Sequence, residues 1–177
     1  AALQQYFLND NTACYVLTGD NYPHRIPMRN DEERLNVYNE SGEEGLRGYL
    51  ATPKEIDFDR INKELSEFKE GKDIIEIKHM GREDGDISYD ETDFTGIKVL
   101  ILEWTHGGSE YLKGVDIPVF LESSPEETKA RRIKRGRDEN AASPFICRVV
   151  ELEQEKLDLQ GKNARIVVGK DGKVYEQ

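Results

Sequence analysis

No apolar stretch in this 177-residue chain approaches the roughly 20 residues that a membrane span requires, and Ala1 to Leu8 lacks the basic start and long apolar core of a signal peptide. A soluble, cytoplasmic protein is the expectation. Cysteine is scarce: Cys14 and Cys147 lie far apart and match no CxxC pattern, which argues against a disulfide framework or a structural zinc site and reads as reduced thiols. The three histidines, His24, His79 and His106, have no ligand spacing, and each reads as a surface residue. Basic charge is short as well. With 25 basic against 36 acidic residues the net charge is −11, which disfavours an extended nucleic-acid surface. Internal repeats and low-complexity segments are lacking.

What is present suits one α/β domain, long enough to bury roughly 70% of its unfolded surface. Acids crowd Asp31 to Glu44 and Glu83 to Asp93, whereas Lys129 to Arg137 is a compact basic island. Any polyanion bound by the chain would be small and met there. Val99 to Leu102 is a short continuous apolar run, expected to be a central strand covered on both faces and ending at Glu103. Cys14 to Leu17 is a second strand, followed by Thr18, Gly19 and Asp20. Two strands thus each end in an acid, at the place where open α/β sheets collect ligands.

Ile56 to Lys69 predicts a helix, with Asp57 or Asp59 as cap, Phe58, Ile61, Leu65 and Phe68 as an apolar stripe, and Gly71 as its stop. Further helices are expected over Ala1 to Phe7, from Ser124-Pro125 into the basic island, and from Ser143-Pro144 to Leu159. Strands are expected at Asp73 to Lys78, Asp116 to Leu121 and Arg165 to Val168, the last turning through Lys170-Asp171-Gly172 into Val174-Tyr175. Asn21 to Gly48 reads as a long polar excursion with at most a short helix over Asp31 to Tyr38, and His79 to Asp93 as a polar loop. Strands alternating with helices predict a mainly parallel sheet with helices on both faces.

The run TPKEIDFDRINKELSEFKEGKDIIEI, then KVLILEW, then DIPVFLESSPEETKARRIKRGRD resembles the uridine kinase and phosphoribulokinase branch of the P-loop kinases. The likeness covers about Asp57 to Asp138 and extends more weakly to Cys14 and Val168. It implies a single kinase-like domain of the P-loop NTPase type over 1–177, with a lid at about 129–143 and an acceptor-side insertion at about 21–52. It also implies ATP and magnesium as cofactors. Asp20 in LTGDNYP matches the family acid that deprotonates the acceptor hydroxyl and helps hold magnesium, and Glu103 in ILEW matches a magnesium ligand. Arg131, Arg132, Arg135 and Arg137 match lid arginines that close on ATP phosphates. Tyr22, Arg25, His79 and Arg82 fall in the two segments expected to flank the acceptor. Phosphoryl transfer, which depends on positioning and charge neutralisation, has use for such groups.

Two departures mark the likeness. GxxxxGK[ST], whose amides and lysine cradle phosphates, does not occur in the chain, and the resemblance places that loop upstream of Ala1. Uridine-reading aromatics are also missing, with Ala51-Thr52-Pro53 and Lys78-His79-Met80-Gly81-Arg82 in their places. The basic Arg25, Lys78, His79 and Arg82 suggest instead a small acceptor that is anionic or polyhydroxylated. The expectation is phosphoryl transfer from ATP to a hydroxyl of that acceptor, with no nucleic-acid or membrane partner and with a homo-oligomer left open. The alternative is a catalytically silent kinase-like domain that binds a nucleotide or a protein. Asp20 as a simple turn acid and the arginine island as a solvated helix face remain the bland readings of those residues.

Overall fold

Residues 2–123 and 143–177 are described by the computed structural model. Its best-formed helix follows from a cap and a stripe. The Arg60 backbone N–H donates to Asp57 Oδ1 at 3.0 Å, and the helix then runs Phe58–Lys69 with Phe58, Ile61 and Leu65 buried. Gly71, at φ 76°, supplies the left-handed residue that ends it. We label the elements α1 (Ala2–Asn9), β1 (Cys14–Thr18), α2 (Pro27–Tyr49), α3 (Phe58–Lys69), β2 (Ile74–Met80), β3 (Ile87–Asp93), β4 (Val99–Glu103), β5 (Val119–Leu121), α4 (Pro144–Gly161), β6 (Ile166–Val168) and β7 (Val174–Glu176). A single 3-10 turn, Gly19–Asn21, follows β1. The expected helix beginning at Ser124 lies outside the described residues.

The strands pair in two ways. β1 runs parallel to β4 in the register Cys14↔Val99 to Thr18↔Glu103, and β5 runs parallel to β6. β2–β3 and β6–β7 are antiparallel hairpins, the second of them as the Lys170-Asp171-Gly172 turn predicts. The fold class is α/β, with helices packed around parallel strand pairs. Among the described residues no helix is long and apolar enough to cross a membrane.

Three expectations need correction. Asn21 to Gly48 is not a loop but is mostly α2, a 23-residue helix with Pro27 in its first turn and a kink at Gly42 (φ 64°). Its apolar signal is thin because only Asn30, Leu46 and Tyr49 are buried along it. Ion pairs along its surface, such as Arg29 with Glu32 at 2.9 Å, replace the usual stripe. His79 to Asp93 is likewise no loop. β2 extends to Met80 and turns back into β3, which has no fully buried residue and hence no alternation to read. Finally, Val99 to Leu102 of β4 are half-buried rather than covered on both faces, and β1 is the ladder partner of β4 among the described residues.

The larger apolar core gathers Leu17, Tyr22, Ile56, Phe58, Ile61, Leu65, Ile75, Ile77 and Phe94 between the β1 end, α3 and β2. A smaller one, Leu46, Leu50, Val149 and Leu152, glues the end of α2 to α4. Buried charge joins the two regions. Glu55 is 1% exposed, and one of its oxygens accepts from Arg34 Nε at 2.6 Å and from Asn30 Nδ2 at 2.9 Å. The other accepts from the Ala51 backbone N–H at 2.6 Å. Arg34 also reaches Glu153 on α4 at 2.8 Å. Burial alone would raise the Glu55 carboxyl, but the Arg34 charge and these donors outweigh it and hold the group below the usual glutamate range.

Glu55 therefore stabilises the fold above its unfolded pKa, and that contribution is lost as pH falls through the lower folded value. Chemical denaturation across pH is expected to show wild-type stability falling on the acid side of the ordinary glutamate range. Glu55→Gln should flatten that limb and lower stability at neutral pH by about 3 kcal/mol, since Arg34 loses one of its buried partners. A second substitution probes the β1 end. A Cβ on the buried Gly19 would lie 1.9 Å from Cγ of Trp104, so Gly19→Ala forces the indole or the turn to move. The expected loss is about 1–3 kcal/mol, read as a lower melting temperature.

Candidate active site

Parallel pairing decides where the two acids end up. Thr18 and Glu103 are register partners at the carboxyl ends of β1 and β4, and Asp20 follows Thr18 on the 3-10 turn. Both carboxylates are exposed. The structure thus brings Asp20 and Glu103 to one end of one strand pair, as their sequence positions suggest.

The floor beneath them is aromatic and tightly packed. Trp104, next to Glu103, lies 5.6 Å from the Phe58 ring, 5.6 Å from His106 edge-on, and 6.4 Å from Tyr22, centre to centre. Gly19 lets the indole approach the backbone of the turn that carries Asp20. Tyr22 is not presented to a ligand. It is 0% exposed, and its hydroxyl donates to the Glu64 carboxylate. Burial, and then the Glu64 carboxylate, push its hydroxyl far above the ordinary tyrosine value, so it stays protonated. Glu64 also accepts from Arg60 Nε at 2.6 Å and from the Lys78 backbone N–H at 3.1 Å, which ties the turn to α3 and β2.

The basic residues expected to flank an acceptor are mostly engaged with this chain's own groups. Lys78 is 2% exposed, its ammonium donating to the Pro23 carbonyl at 2.9 Å with Asp57 at 3.8 Å, so it is a core lysine. Arg25 lies 3.4 Å from Glu33 and from the Tyr49 hydroxyl. His79 lies 3.8 Å from Asp90. Arg29, at the start of α2, forms a two-pronged pair with Asp84 at the β2–β3 tip, which ties the hairpin to α2. The Arg82 side chain is exposed, while its backbone N–H donates to Asp86 at 3.2 Å. Arg131, Arg132, Arg135 and Arg137 lie outside the described residues.

His106 is the residue sequence reading placed wrongly. Instead of a surface histidine it is 7% exposed, and its Nδ1 has no hydrogen-bond partner among the described residues. Burial pushes its pKa down, partly offset by the charges of Glu153, Glu55 and Asp20, so the imidazole is neutral. Arg34, Glu55, Asn30 and Glu153 were also not legible as a site, because they come from α2, the loop after it and α4. The apolar run that ends in Glu103, followed by Thr-His-Gly-Gly, was the one available signal for His106.

The carboxylate pair has a restricted range of metals. No group of three or more metal-ligating side chains occurs among the described residues, so a closed protein cage of the calcium or zinc kind is not formed by them. Magnesium is different: it takes one or two carboxylates and completes its shell with phosphate oxygens and water. Asp20 and Glu103 fit that donor set.

No family model matches the chain. Over 176 residues it is 75% identical to the bifunctional alpha-galactosidase/sucrose kinase AgaSK of Mediterraneibacter gnavus, an alignment that covers 99% of this chain and 19% of that protein. The chain therefore spans about a fifth of the length of this curated relative. Among solved structures it superposes on the phosphoribulokinase from Rhodobacter spheroides with a TM-score of 0.71 at 12% identity, covering 94% of this chain and 63% of that one. The YGR205w protein aligns at a TM-score of 0.48 and 10% identity, over 99% of this chain and 80% of that one. The chain has the α/β fold of the phosphoribulokinase structure.

Proposed function

We propose that this chain is the catalytic core of an ATP-dependent kinase that phosphorylates a hydroxyl group of a neutral sugar, with sucrose as the first candidate. The observation that carries the reading is the 75% identity, over nearly the whole chain, to a protein named in part a sucrose kinase. The phosphoribulokinase-like fold supports assigning the kinase half of that name, rather than the galactosidase half, to this stretch.

Local charge favours a neutral acceptor over an anionic one. Of the four cations expected to receive an anion, Lys78 lies in the core, Arg25 faces Glu33 and His79 faces Asp90, while the Arg82 side chain is exposed. The strand ends meanwhile carry Asp20 and Glu103, in a chain of net charge −11. A polyhydroxylated neutral molecule avoids both the repulsion and the loss of those pairs.

In this reading Asp20 accepts the proton of the attacking sugar hydroxyl, which general-base chemistry asks of a carboxylate within hydrogen-bond reach. Asp20 and Glu103 would hold magnesium, which when bound neutralises charge on the transferring phosphate. Glu103 and Trp104 are adjacent, so the packing of the indole against Phe58 and Tyr22 fixes the strand end from which that carboxylate projects. Arg131, Arg132, Arg135 and Arg137 are proposed to close on ATP phosphates, as the resemblance implies. GxxxxGK[ST] does not occur within these 177 residues, so no cradle of that kind is assigned to them.

ATP turnover measured with sucrose, and with ribulose 5-phosphate as an anionic control, tests the reading. Sucrose-dependent turnover exceeding that with the sugar phosphate is expected, and the reverse order would overturn the neutral-acceptor assignment. Sucrose binding without any turnover would assign a silent binding domain instead. In the active protein, Asp20→Asn should lower kcat by about 10² to 10⁴ with sugar KM little changed, the scale of a lost general base. Glu103→Gln should raise the magnesium concentration needed for half-maximal rate.

A further inference from the structure

One residue is out of place in the buried stripe of α3. Alongside Phe58, Ile61 and Leu65 the helix also buries Glu64, which is 2% exposed. An apolar side chain there would fold at least as well, since exchanging a buried ionic group for a packed apolar one is often neutral or stabilising. A carboxylate in that position asks for a reason other than stability. Its bonds supply one. Oε1 accepts from Arg60 Nε at 2.6 Å and from the Lys78 backbone N–H at 3.1 Å, and Oε2 accepts from the Tyr22 hydroxyl. Arg60 is itself held by Glu76 Oε1 at 2.8 Å and lies 4.7 Å over the Tyr89 ring. Glu64 is thus fixed by α3, β2 and β3 before the Tyr22 hydroxyl reaches it.

Asp20 sits between that anchor and a second one. Before it, Thr18 is laddered to Glu103; after it comes Tyr22, 0% exposed, whose backbone N–H closes the 3-10 turn on the Gly19 carbonyl at 3.2 Å. No side chain caps the start of the turn. The Tyr22 carbonyl accepts from the Asp57 N–H at 2.8 Å, so backbone and side chain of Tyr22 are both tied to the α3 region. At the tight pitch of a 3-10 turn the Asp20 and Tyr22 side chains leave on different sides, so holding Tyr22 inward turns the exposed Asp20 carboxylate outward. A satisfied buried network of this kind rigidifies what it holds. Resting on the assignment of Asp20 as the base that takes the acceptor hydroxyl's proton, we propose that Glu64 is a positioning residue, which through Tyr22 fixes the turn that aims the Asp20 carboxylate.

The test separates positioning from plain destabilisation. In the active protein Tyr22→Phe keeps the ring and removes the hydroxyl, and it should lower kcat about 10- to 100-fold, the cost of misplacing a reacting group by about an ångström, with sugar KM little changed. Glu64→Ala should do the same, and Glu64→Gln, which can still bond the Tyr22 hydroxyl, should recover part of the loss. Leu65→Ala, at the next position of α3 and in the same core, is the control: it should lower the melting temperature and leave kcat near wild type. Wild-type kcat in folded Tyr22→Phe, or a kcat loss in Leu65→Ala as large as in Tyr22→Phe, would overturn the proposal. Should Glu64→Ala not fold, Tyr22→Phe decides. Trp104, the one tryptophan of the 177 residues, lies against Gly19, so acrylamide quenching of its emission follows the turn without any turnover. Tyr22→Phe is expected to increase the quenching, and unchanged quenching would overturn the role of Glu64. A wild type inert toward every neutral sugar would reject the sugar-kinase reading, and the quenching would then judge by itself whether Glu64 holds the turn.

Discussion

A carboxylate carried into the interior has to be answered by a cation and by oriented donors, and in this chain the Glu55–Arg34 pair sets that condition for the packing of α2, the loop after it and α4. Desolvating an unpaired Glu55 would cost several kcal/mol, so the loop after α2 cannot settle until Arg34, Asn30 and the Ala51 amide are in place. Arg34 in turn can only reach Glu153 if α4 lies against α2, which the apolar contact of Leu46 and Leu50 with Val149 and Leu152 secures. Electrostatics and packing therefore specify one arrangement of three segments far apart in sequence. Asn30 is held in that arrangement by its bond to Glu55.

A second buried carboxylate does the same work on the other side. Glu64 gathers the Tyr22 hydroxyl, the Arg60 guanidinium and the Lys78 amide, so the turn carrying Asp20 is referenced to α3 and β2 rather than left as a free strand exit. Tyr22 and Lys78, both candidates for touching an acceptor, are consumed by this structural task. Both fix the backbone just after Asp20, Tyr22 through its bond to Glu64 and Lys78 through the Pro23 carbonyl. The aromatic packing of Trp104 on Phe58 performs the matching service for Glu103. Exposed carboxylates on a braced floor are well suited to chemistry that demands placement more than reactivity.

The division of the cations bears on the acceptor. Arginines that look available in a sequence are available only if no acid lies near them, and α2 brings acids to most of them. Glu33 faces Arg25, Glu32 and Asp84 face Arg29, and the β2–β3 tip is brought to α2 by the last of these. Surface pairs of this kind are weak individually and can exchange partners. Lys78 cannot, because it is enclosed, and its withdrawal removes one of the four cations that suggested an anionic ligand.

Legibility differed by kind of signal. The cap and stripe of α3, the Ser143-Pro144 start of α4 and the turn between β6 and β7 are local patterns, and local patterns fix local structure. The strand ends at Asp20 and Glu103 were legible because an apolar run stops at an acid in both places. α2 and β3 were not, since a helix stabilised by ion pairs and a strand with no buried face have no period to detect. The roles of Tyr22, Lys78 and His106 were hidden for a further reason: burial is a property of what packs over a residue, and the covering segments come from elsewhere in the chain. By itself the sequence determined the α/β class, the capped helices and the two terminal acids, because periodicity and turn chemistry act over a few residues. Only the tertiary structure decided that the two acids share one end of a parallel pair, that Glu55 and Glu64 are the buried anchors, and that Asn30 and His106 keep unpartnered atoms, because each depends on contacts between distant segments.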